Sequence, residues 1–334
     1  MLSQKKTVRA LGLCSGGLDS ILSGVVLRAQ GIETQWISFE TPFFSADKAR
    51  KASKMTGIPL MIKNITPQYL DMLKNPRCGY GKNMNPCPDC HALMFRIAGG
   101  IMQENGFDFL FSGEVMGQRP MSQTKNSLRY VEKNSGFEGY IVRPLSIQHL
   151  PETIAEKQGW IDRSALYGIT GRGRKPQMEL AEKFGIKEYP TVAGGCLLTD
   201  KNFSLRLKDL FGHQEHTSEE EIHLLKYGRH FRINPECKII AGRHKADNEA
   251  LLRHFRQDRD AMIKTVSVPG PLVLIPNSGT PDMLALAASV CAGYSKSPAD
   301  AETEVRITLP EGQHTIITKG IRPQEMQAYL IGGV

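Results

Sequence analysis

The first half of the chain alternates short apolar runs with amphipathic segments whose apolar positions recur every three or four residues. Apolar runs of this length predict strands, and the amphipathic segments predict helices. The predicted strands are TVRALGLCS, ETQWISFE, PLMIKNI and FDFLFSG, and the predicted helices cover residues 19–29, 46–55 and 91–105. This alternation is typical of an α/β fold with a doubly wound parallel sheet, which binds ligands at the carboxyl ends of its strands.

The pattern changes after residue 150. Residues 151–204 contain shorter amphipathic stretches separated by glycines, which we interpret as the end of a first domain, residues 1–204, or as a helical insert in it. Residues 205–232 are polar and acidic and predict a linker, in which Ser218 with Glu221 three residues later predicts a helix start. Residues 233–334 predict a smaller α+β domain, with the strand-like runs KIIAGR, PLVLIPN, EVRITLP and TIITKG and one apolar helix over residues 281–294.

Composition agrees with a globular chain of two domains, since 334 residues with 40% hydrophobic content can bury a large core. No apolar run reaches the length of about 20 residues that spans a bilayer. The opening MLSQKKTVRA lacks the apolar centre of a secretory signal, so we expect a cytoplasmic protein without a membrane partner. The seven cysteines are odd in number and unevenly spaced, which favours metal binding or sulfur chemistry over disulfides.

The net charge of the chain is concentrated in its first part. Residues 205–334 contain 16 Lys and Arg and 16 Asp and Glu residues, so the whole net charge of +8 lies on residues 1–204. A positive surface of this kind attracts a polyanion such as a nucleic acid. Within this part, the segment GRGRKP places Arg172, Arg174 and Lys175 on a glycine-containing loop, where they are candidate RNA phosphate contacts.

A glycine turn, SGGLDS, follows the first predicted strand and precedes a helix. Gly16 and Gly17 leave backbone N–H groups at the positive end of the helix dipole, where a phosphate binds well, and Ser15 and Ser20 add hydroxyl donors. Asp19 suits this place if Mg²⁺ bridges the carboxylate and the phosphates. The Walker and dinucleotide glycine patterns are absent. An ordinary tight turn between a strand and a helix is the structural alternative.

The complete string SGGLDS after an apolar strand resembles the pyrophosphate loop (PP-loop) of the N-type ATP pyrophosphatases. The resemblance implies an adenine nucleotide alpha hydrolase-like fold that cleaves ATP between its α and β phosphates. It also implies that Ser15, Gly16, Gly17, Asp19 and Ser20 bind the pyrophosphate group and that Asp19 binds Mg²⁺.

Cysteines form a second pattern. Cys87 and Cys90 lie in NPCPDCH just before a predicted helix, and Cys196 lies beside glycines in TVAGGCLLTD. Three thiolates can hold three irons of a 4Fe-4S cluster and leave the fourth iron open for a sulfur ligand such as hydrosulfide. A zinc site completed by Cys78 or His91 is one alternative, and a metal-free redox pair of Cys90 and Cys196 is another. The other cysteines, Cys14, Cys237 and Cys291, lie in apolar patterns and predict buried side chains.

The segments SGGLDS, NPCPDC, SGEVMGQRPMSQ and GGCLLTD together resemble the tRNA thiouridine synthases, and GEVMGQ favours the 4-thiouridine over the 2-thiouridine branch. The resemblance implies that a uridine carbonyl oxygen of tRNA is adenylated and that sulfur, from sulfide or from a cysteine desulfurase persulfide, then displaces AMP. Asp19, Cys90 and Cys196 would be catalytic residues, and Gly113 and Gln118 would line the ATP pocket. Few residues precede the first strand, so we expect the N-terminal tRNA-capturing domain of 4-thiouridine synthases to be absent.

The C-terminal segments AGRHKADNEALL, PGPLVLIPN and ITLPEGQHTIITKG resemble the RNA-binding domain shared by ribosome quality-control factors and fibronectin-binding-like proteins, with Arg243 and Lys245 as RNA contacts. Two other functions stay open from the sequence. The chain would need no RNA if it were a small-molecule PP-loop ligase or sulfur transferase. It would release no AMP if it were a non-catalytic RNA-binding regulator. A homodimer is also left open.

Overall fold

The computed structural model describes residues 7–189 and 196–333. The chain forms two compact units, Met1–Cys196 and Leu197–Val334, and each is described by itself. The boundary follows Cys196, whereas the sequence pattern suggested residue 204. Gly194 and Gly195, the glycines expected to allow a close backbone approach beside Cys196, lie outside the described residues.

The first unit contains a parallel sheet with the order β3-β2-β1-β4-β5. The strands are β1 Arg9–Leu13, β2 Glu33–Glu40, β3 Leu60–Asn64, β4 Phe109–Ser112 and β5 Ile141–Val142. The helices are α1 Leu18–Ala29, α2 Asp47–Thr56, α3 Thr66–Lys74, α4 Cys87–Glu104, α5 Lys125–Ser135, α6 Ile154–Lys157 and α7 Lys175–Lys183. The strand order reverses at β1 and β4, so a crevice is expected outside the carboxyl ends of these two strands. The turn SGGLDS and the segment GEVMGQ both begin there. The parallel sheet with helices between its strands confirms the predicted α/β class.

Small residues let large core side chains approach the sheet. Gly24 of α1 faces the indole of Trp36, which is fully buried, and a Cβ atom at Gly24 would lie 2.8 Å from that ring. Gly12 of β1 lies in the same way against the buried ring of Phe111. Close packing of this kind fixes α1, and therefore the turn before it, against the sheet.

Helix α4 begins at Cys87, four residues before the predicted start at His91. Pro86 is its N-cap residue and Pro88 stands within the first turn, where a missing N–H costs nothing because first-turn N–H groups have no partner within the helix. The pair Cys87 and Cys90 therefore lies on the first helical turn rather than on a loop. Helices α3 and α5 were not predicted.

The second unit contains a six-stranded antiparallel sheet with the order β11-β10-β8-β9-β7-β6. Its strands are β6 Arg229–Asn234, β7 Cys237–Ala241, β8 Ala261–Thr265, β9 Val273–Ile275, β10 Glu302–Leu309 and β11 Gly312–Lys319. Its helices are α8 Lys201–His213, α9 Glu219–Leu224, α10 Lys245–His254 and α11 Pro281–Gly293. The apolar helix α11 packs against β8 and β10 in a core that includes Ile263, Val290 and Val305. The separate antiparallel domain confirms the predicted second α+β domain.

Much of the segment predicted as a linker, residues 205–232, is ordered structure in this second unit. Helix α8 continues to His213 because Phe203, Leu207 and Leu210 bury one apolar face. Ser218 caps α9 with Glu221 in a capping box, as the sequence predicted. In the described part of the chain, no helix has both the length and the apolar character needed to cross a lipid bilayer.

Candidate functional site at the carboxyl ends of β1 and β4

The turn between β1 and α1 has a shape that depends on glycine. Gly16 has φ of +70°, and a Cβ atom there would lie 2.2 Å from the backbone carbon of Lys48. The Ser20 hydroxyl donates to the Gly17 carbonyl oxygen at 2.8 Å, so it closes the turn instead of facing outward. Within the described residues, no side chain caps α1 at Gly17. Its first-turn N–H groups are therefore available for an anionic ligand.

Asp19 lies in the first turn of α1. Its Oδ2 accepts a hydrogen bond from Gln118 Nε2 at 2.8 Å, while its Oδ1 is buried and has no hydrogen-bond partner among the described residues. Burial raises the pKa of Asp19, and the hydrogen bond from Gln118 and the charges of Arg174 and Arg119 act in the opposite direction. A buried carboxylate oxygen without a partner fits a Mg²⁺ ligand, because Mg²⁺ commonly binds one or two carboxylates together with substrate phosphates.

Two glutamine side chains extend the hydrogen-bond chain that begins at the Asp19 carboxylate. Gln177 Nε2 donates to Gln118 Oε1 at 3.1 Å, and Gln177 of α7 is fully buried. The predicted residue Gln118 therefore contacts Asp19, and Gln177 is a site residue that sequence reasoning missed. Gly113 lies against α1, where a Cβ atom would approach the carbonyl of Asp19 to 2.3 Å. In this structure Gly113 allows close packing of the strand end against α1.

The loop of residues 170–174 lies against the segment that carries Gln118. Gly171 N donates to the Met116 carbonyl at 2.8 Å, and Gly117, with φ of +78°, packs on Gly171. Arg172 and Lys175 are exposed, with Lys175 at 89%, whereas Arg174 is only partly exposed and is close enough to Asp19 to lower its pKa. Of the three basic residues predicted to contact RNA, two are therefore open to solvent, and the third, Arg174, lies near Asp19.

The three predicted cysteines share one neighbourhood. Burial first, and then the charges of Cys196 and Cys87, raise the pKa of Cys90, while the hydroxyl of buried Tyr69 donates a hydrogen bond to it. Cys87 donates to Asn85 Oδ1 at 2.9 Å. Cys14, Cys237 and Cys291 are buried elsewhere, as predicted.

Arg119 connects the glycine turn with the cysteines. Burial raises the pKa of Cys87, and the charge of Arg119 acts against this rise just as it does at Asp19. One guanidinium is therefore near both a carboxylate of the turn and a thiol of the cysteine cluster. Arg119 directly follows Gln118, but no motif distinguishes it from other exposed arginines of the chain.

The thiols fit an iron-sulfur cluster or zinc by donor chemistry, but among the described residues no group of three or more His, Cys, Asp or Glu side chains is arranged to hold a metal. His91 Nδ1 is 2.8 Å from Glu114 Oε1, so this alternative zinc ligand already has a partner. Burial would raise the pKa of Glu114, but the Arg143 guanidinium and His91 lower it to about 2. Sequence reasoning missed this pair of partly buried His91 and buried Glu114, which connects α4 with the segment after β4.

In the second unit, the two predicted RNA contacts differ in availability. Arg243 Nε is 2.7 Å from Asp247 Oδ2 in an ion pair at the start of α10. Lys245 is 91% exposed and 3.8 Å from Glu249. Arg243 would have to share its guanidinium between Asp247 and a phosphate, whereas the ammonium of Lys245 is open to one.

The SGGLDS turn lies at the switch point of the parallel sheet, which is where a phosphate-binding loop of an α/β protein is expected. Residues 5–156 match the family described as "Thiamine biosynthesis protein (ThiI)". Residues 228–330 match the family described as "NFACT protein RNA binding domain". Both resemblances predicted from the sequence motifs are thereby confirmed.

Curated relatives agree with the first match. A "Probable tRNA sulfurtransferase" of Caldanaerobacter subterraneus subsp. tengcongensis is 28% identical over 41% of this chain and 36% of its own length. The protein of the same description from Oceanobacillus iheyensis is 26% identical over 45% of this chain and 38% of its own length. The chain therefore matches less than two fifths of the length of these relatives.

A solved structure described as a predicted subunit of tRNA methyltransferase from Methanocaldococcus jannaschii is more distant. It is 16% identical, covers 53% of this chain and 76% of its own chain, and has a TM-score of 0.34.

Proposed function

We propose that this protein is an ATP-dependent tRNA uridine thiolase, with 4-thiouridine as the favoured product. The observation that carries the proposal is the hydrogen bond from Gln118 Nε2 to Asp19 Oδ2, which joins the SGGLDS turn to the GEVMGQ segment at the carboxyl ends of β1 and β4. These are two of the segments that resemble the tRNA thiouridine synthases. The relatives described as probable tRNA sulfurtransferases and the match to an RNA-binding family support the same function.

In the first step, the uridine carbonyl oxygen attacks the α-phosphorus of ATP, the α–β phosphoanhydride bond breaks, and pyrophosphate leaves. The first-turn N–H groups of α1 would bind the anionic phosphates, while the Gly17 N–H donates to Ser15 Oγ at 3.4 Å. Asp19 Oδ1 would hold Mg²⁺, and the bound ion would neutralise charge on the phosphates. Gln118 orients the carboxylate through its hydrogen bond to Oδ2.

In the second step, sulfur attacks the activated ring carbon and AMP leaves with the former carbonyl oxygen. With hydrosulfide as the donor, this displacement needs no oxidant or reductant. Adenylation is required because the carbonyl oxygen is a poor leaving group, and holding the sulfur nearby converts a difficult substitution into two easier ones.

Cys87, Cys90 and Cys196 would hold the sulfur-carrying group. Three thiolates can ligate a 4Fe-4S cluster, which would supply an open iron position for hydrosulfide. The donor chemistry of the three thiols supports this assignment. Zinc is the alternative occupant, and a persulfide on Cys90 or Cys196 is the metal-free alternative.

Each unit offers candidate RNA contacts of its own. Arg172 and Lys175 in the first unit and Lys245 in the second are exposed cations that suit phosphate contacts. Arg243 would contribute a weaker contact because of its ion pair with Asp247.

The test compares the protein with its Asp19→Asn variant in the presence of ATP, Mg²⁺, tRNA and sulfide. Loss of the charge at Oδ1 is expected to lower AMP formation at least about 100-fold, while tRNA affinity stays within about twofold. AMP is measured by chromatography and affinity by fluorescence anisotropy. AMP formation without any RNA requirement would favour a small-molecule PP-loop ligase. Tight RNA binding with no AMP from the unaltered protein would favour a non-catalytic regulator.

A further inference from the structure

The basic side chains of the loop before α7 differ in their exposure to solvent. Arg172 and Lys175 are exposed, whereas Arg174 between them is only partly exposed and its Nε atom is buried. A phosphate of a large RNA contacts exposed cations most easily. The partly buried guanidinium of Arg174 is therefore poorly placed for the role that its neighbours suit.

The surroundings of Arg174 belong to the PP-loop. It is the N-cap residue of α7, three residues before Gln177, so the two side chains leave the same side of the helix. Gln177 is fully buried, donates to Gln118, and has an Oε1 atom without a hydrogen-bond partner among the described residues. Gln118 in turn donates to Asp19. The start of α7 is thus connected to the PP-loop carboxylate through two amides.

The loop is held in this place by backbone contacts. The Gly171 N–H donates to the Met116 carbonyl, and Thr170 forms a parallel bridge with Met116. Helix α7 also packs against α1. Arg174 therefore comes from a segment that is fixed against the end of β4 and the start of α1, where the ATP phosphates would lie.

We propose that Arg174 is a phosphate-contacting residue of the ATP site, and that Arg172 and Lys175 on the same loop contact RNA. This assignment rests on the proposed function. Arg174 would donate charge-assisted hydrogen bonds to the pyrophosphate leaving group. A single loop would then contact both substrates of the reaction, RNA on its outer side and ATP on its inner side.

The experiment uses the full chain and two separate binding measurements. Magnesium pyrophosphate is titrated by calorimetry, and tRNA is titrated by fluorescence anisotropy at several salt concentrations. Arg174→Ala is expected to weaken pyrophosphate binding and AMP formation by about 10- to 100-fold, the range for a lost hydrogen bond to a charged group, with tRNA affinity within about twofold.

The paired substitution Arg172→Ala with Lys175→Ala is expected to weaken tRNA binding and reduce its salt slope by about 2, with unchanged pyrophosphate binding. Lys183→Ala, which removes an exposed charge from the same helix, is the matched control for both.

A double variant distinguishes direct phosphate contact by Arg174 from an indirect effect of Arg174 on the position of Asp19. If Arg174 contacts phosphate, Arg174→Ala weakens pyrophosphate binding further in the Asp19→Asn background, because the two groups hold different oxygens. Equal binding by Asp19→Asn with and without Arg174 would overturn the assignment, as would a loss confined to tRNA affinity. If the unaltered protein binds magnesium pyrophosphate but forms no AMP with tRNA, the proposed function fails while the assignment of Arg174 is still decided by the calorimetry.

Discussion

At the scale of single residues, the seven cysteines divide by environment. Cys14, Cys237 and Cys291 are buried in apolar surroundings, and burial raises the pKa of Cys14 to about 11 and that of Cys291 to about 12. Thiols of this kind stay protonated and behave as small apolar side chains. Burial also raises the pKa of Cys87 and Cys90, but both lie on the first turn of α4, where the charge of Arg119 at Cys87 and the Tyr69 hydrogen bond to Cys90 act against this rise.

This division predicts which thiols hold iron. We expect Cys87→Ala, Cys90→Ala and Cys196→Ala each to abolish the visible absorbance of anaerobically reconstituted protein, because three ligands are the minimum for the proposed cluster. Cys291→Ala is the matched control and should retain it. Iron, sulfide and zinc are quantified in each variant. Full iron retention by any one of the three would remove that residue from the ligand set, and zinc without iron in the unaltered protein would favour the zinc alternative.

The residue contacts show what a sequence motif can and cannot predict. Asp19 and Gln118 were both predicted, and they meet although 99 positions separate them, because each lies in a motif at a strand end. Gln177 and Arg119 were missed. No motif marks either residue in the sequence. They come close to Asp19 only because α7 and the segment after β4 pack around α1.

At the scale of elements, α4 carries the cysteines on its first turn and packs against α5 further along. Its start was predicted four residues late, since the prolines of NPCPDC were interpreted as parts of a loop. The strands of the parallel sheet were predicted closely, because a fully buried strand is a continuous apolar run. Helices α3, α5 and α10 were not predicted, and each of them buries three residues.

Two adjacent glycines of α4 give a prediction about how this helix is positioned. A Cβ atom at Gly99 would lie 2.0 Å from the Phe137 ring, whereas one at Gly100 meets nothing within 4 Å. Gly99→Ala should therefore lower the free energy of unfolding by about 1–3 kcal/mol through overpacking. Gly100→Ala should raise it by about 0.5–1 kcal/mol through helix propensity. Urea unfolding followed by circular dichroism measures both, and equal effects of the two substitutions would contradict the packing described for α4 and Phe137.

At the scale of the whole molecule, the two units match two different family models. The entire net charge of +8 lies on residues 1–204, whereas the second unit matches an RNA-binding family although its formal charge is balanced. RNA binding by the second unit would therefore depend on local groups such as Lys245, and RNA attraction at long range on the first unit.

The measurement that tests this account most directly is a comparison of tRNA thionucleosides from cells with and without the gene. Digested tRNA is analysed by mass spectrometry, with an Asp19→Asn allele and a Lys183→Ala allele as the inactive and matched control. The account predicts that 4-thiouridine disappears without the gene and with Asp19→Asn, and returns with Lys183→Ala. Selective loss of 2-thiouridine would show that the modified position on uridine was predicted wrongly, but it would still support tRNA thiolation. If every thionucleoside persisted in cells with no other enzyme able to make them, tRNA thiolation by this protein would be contradicted.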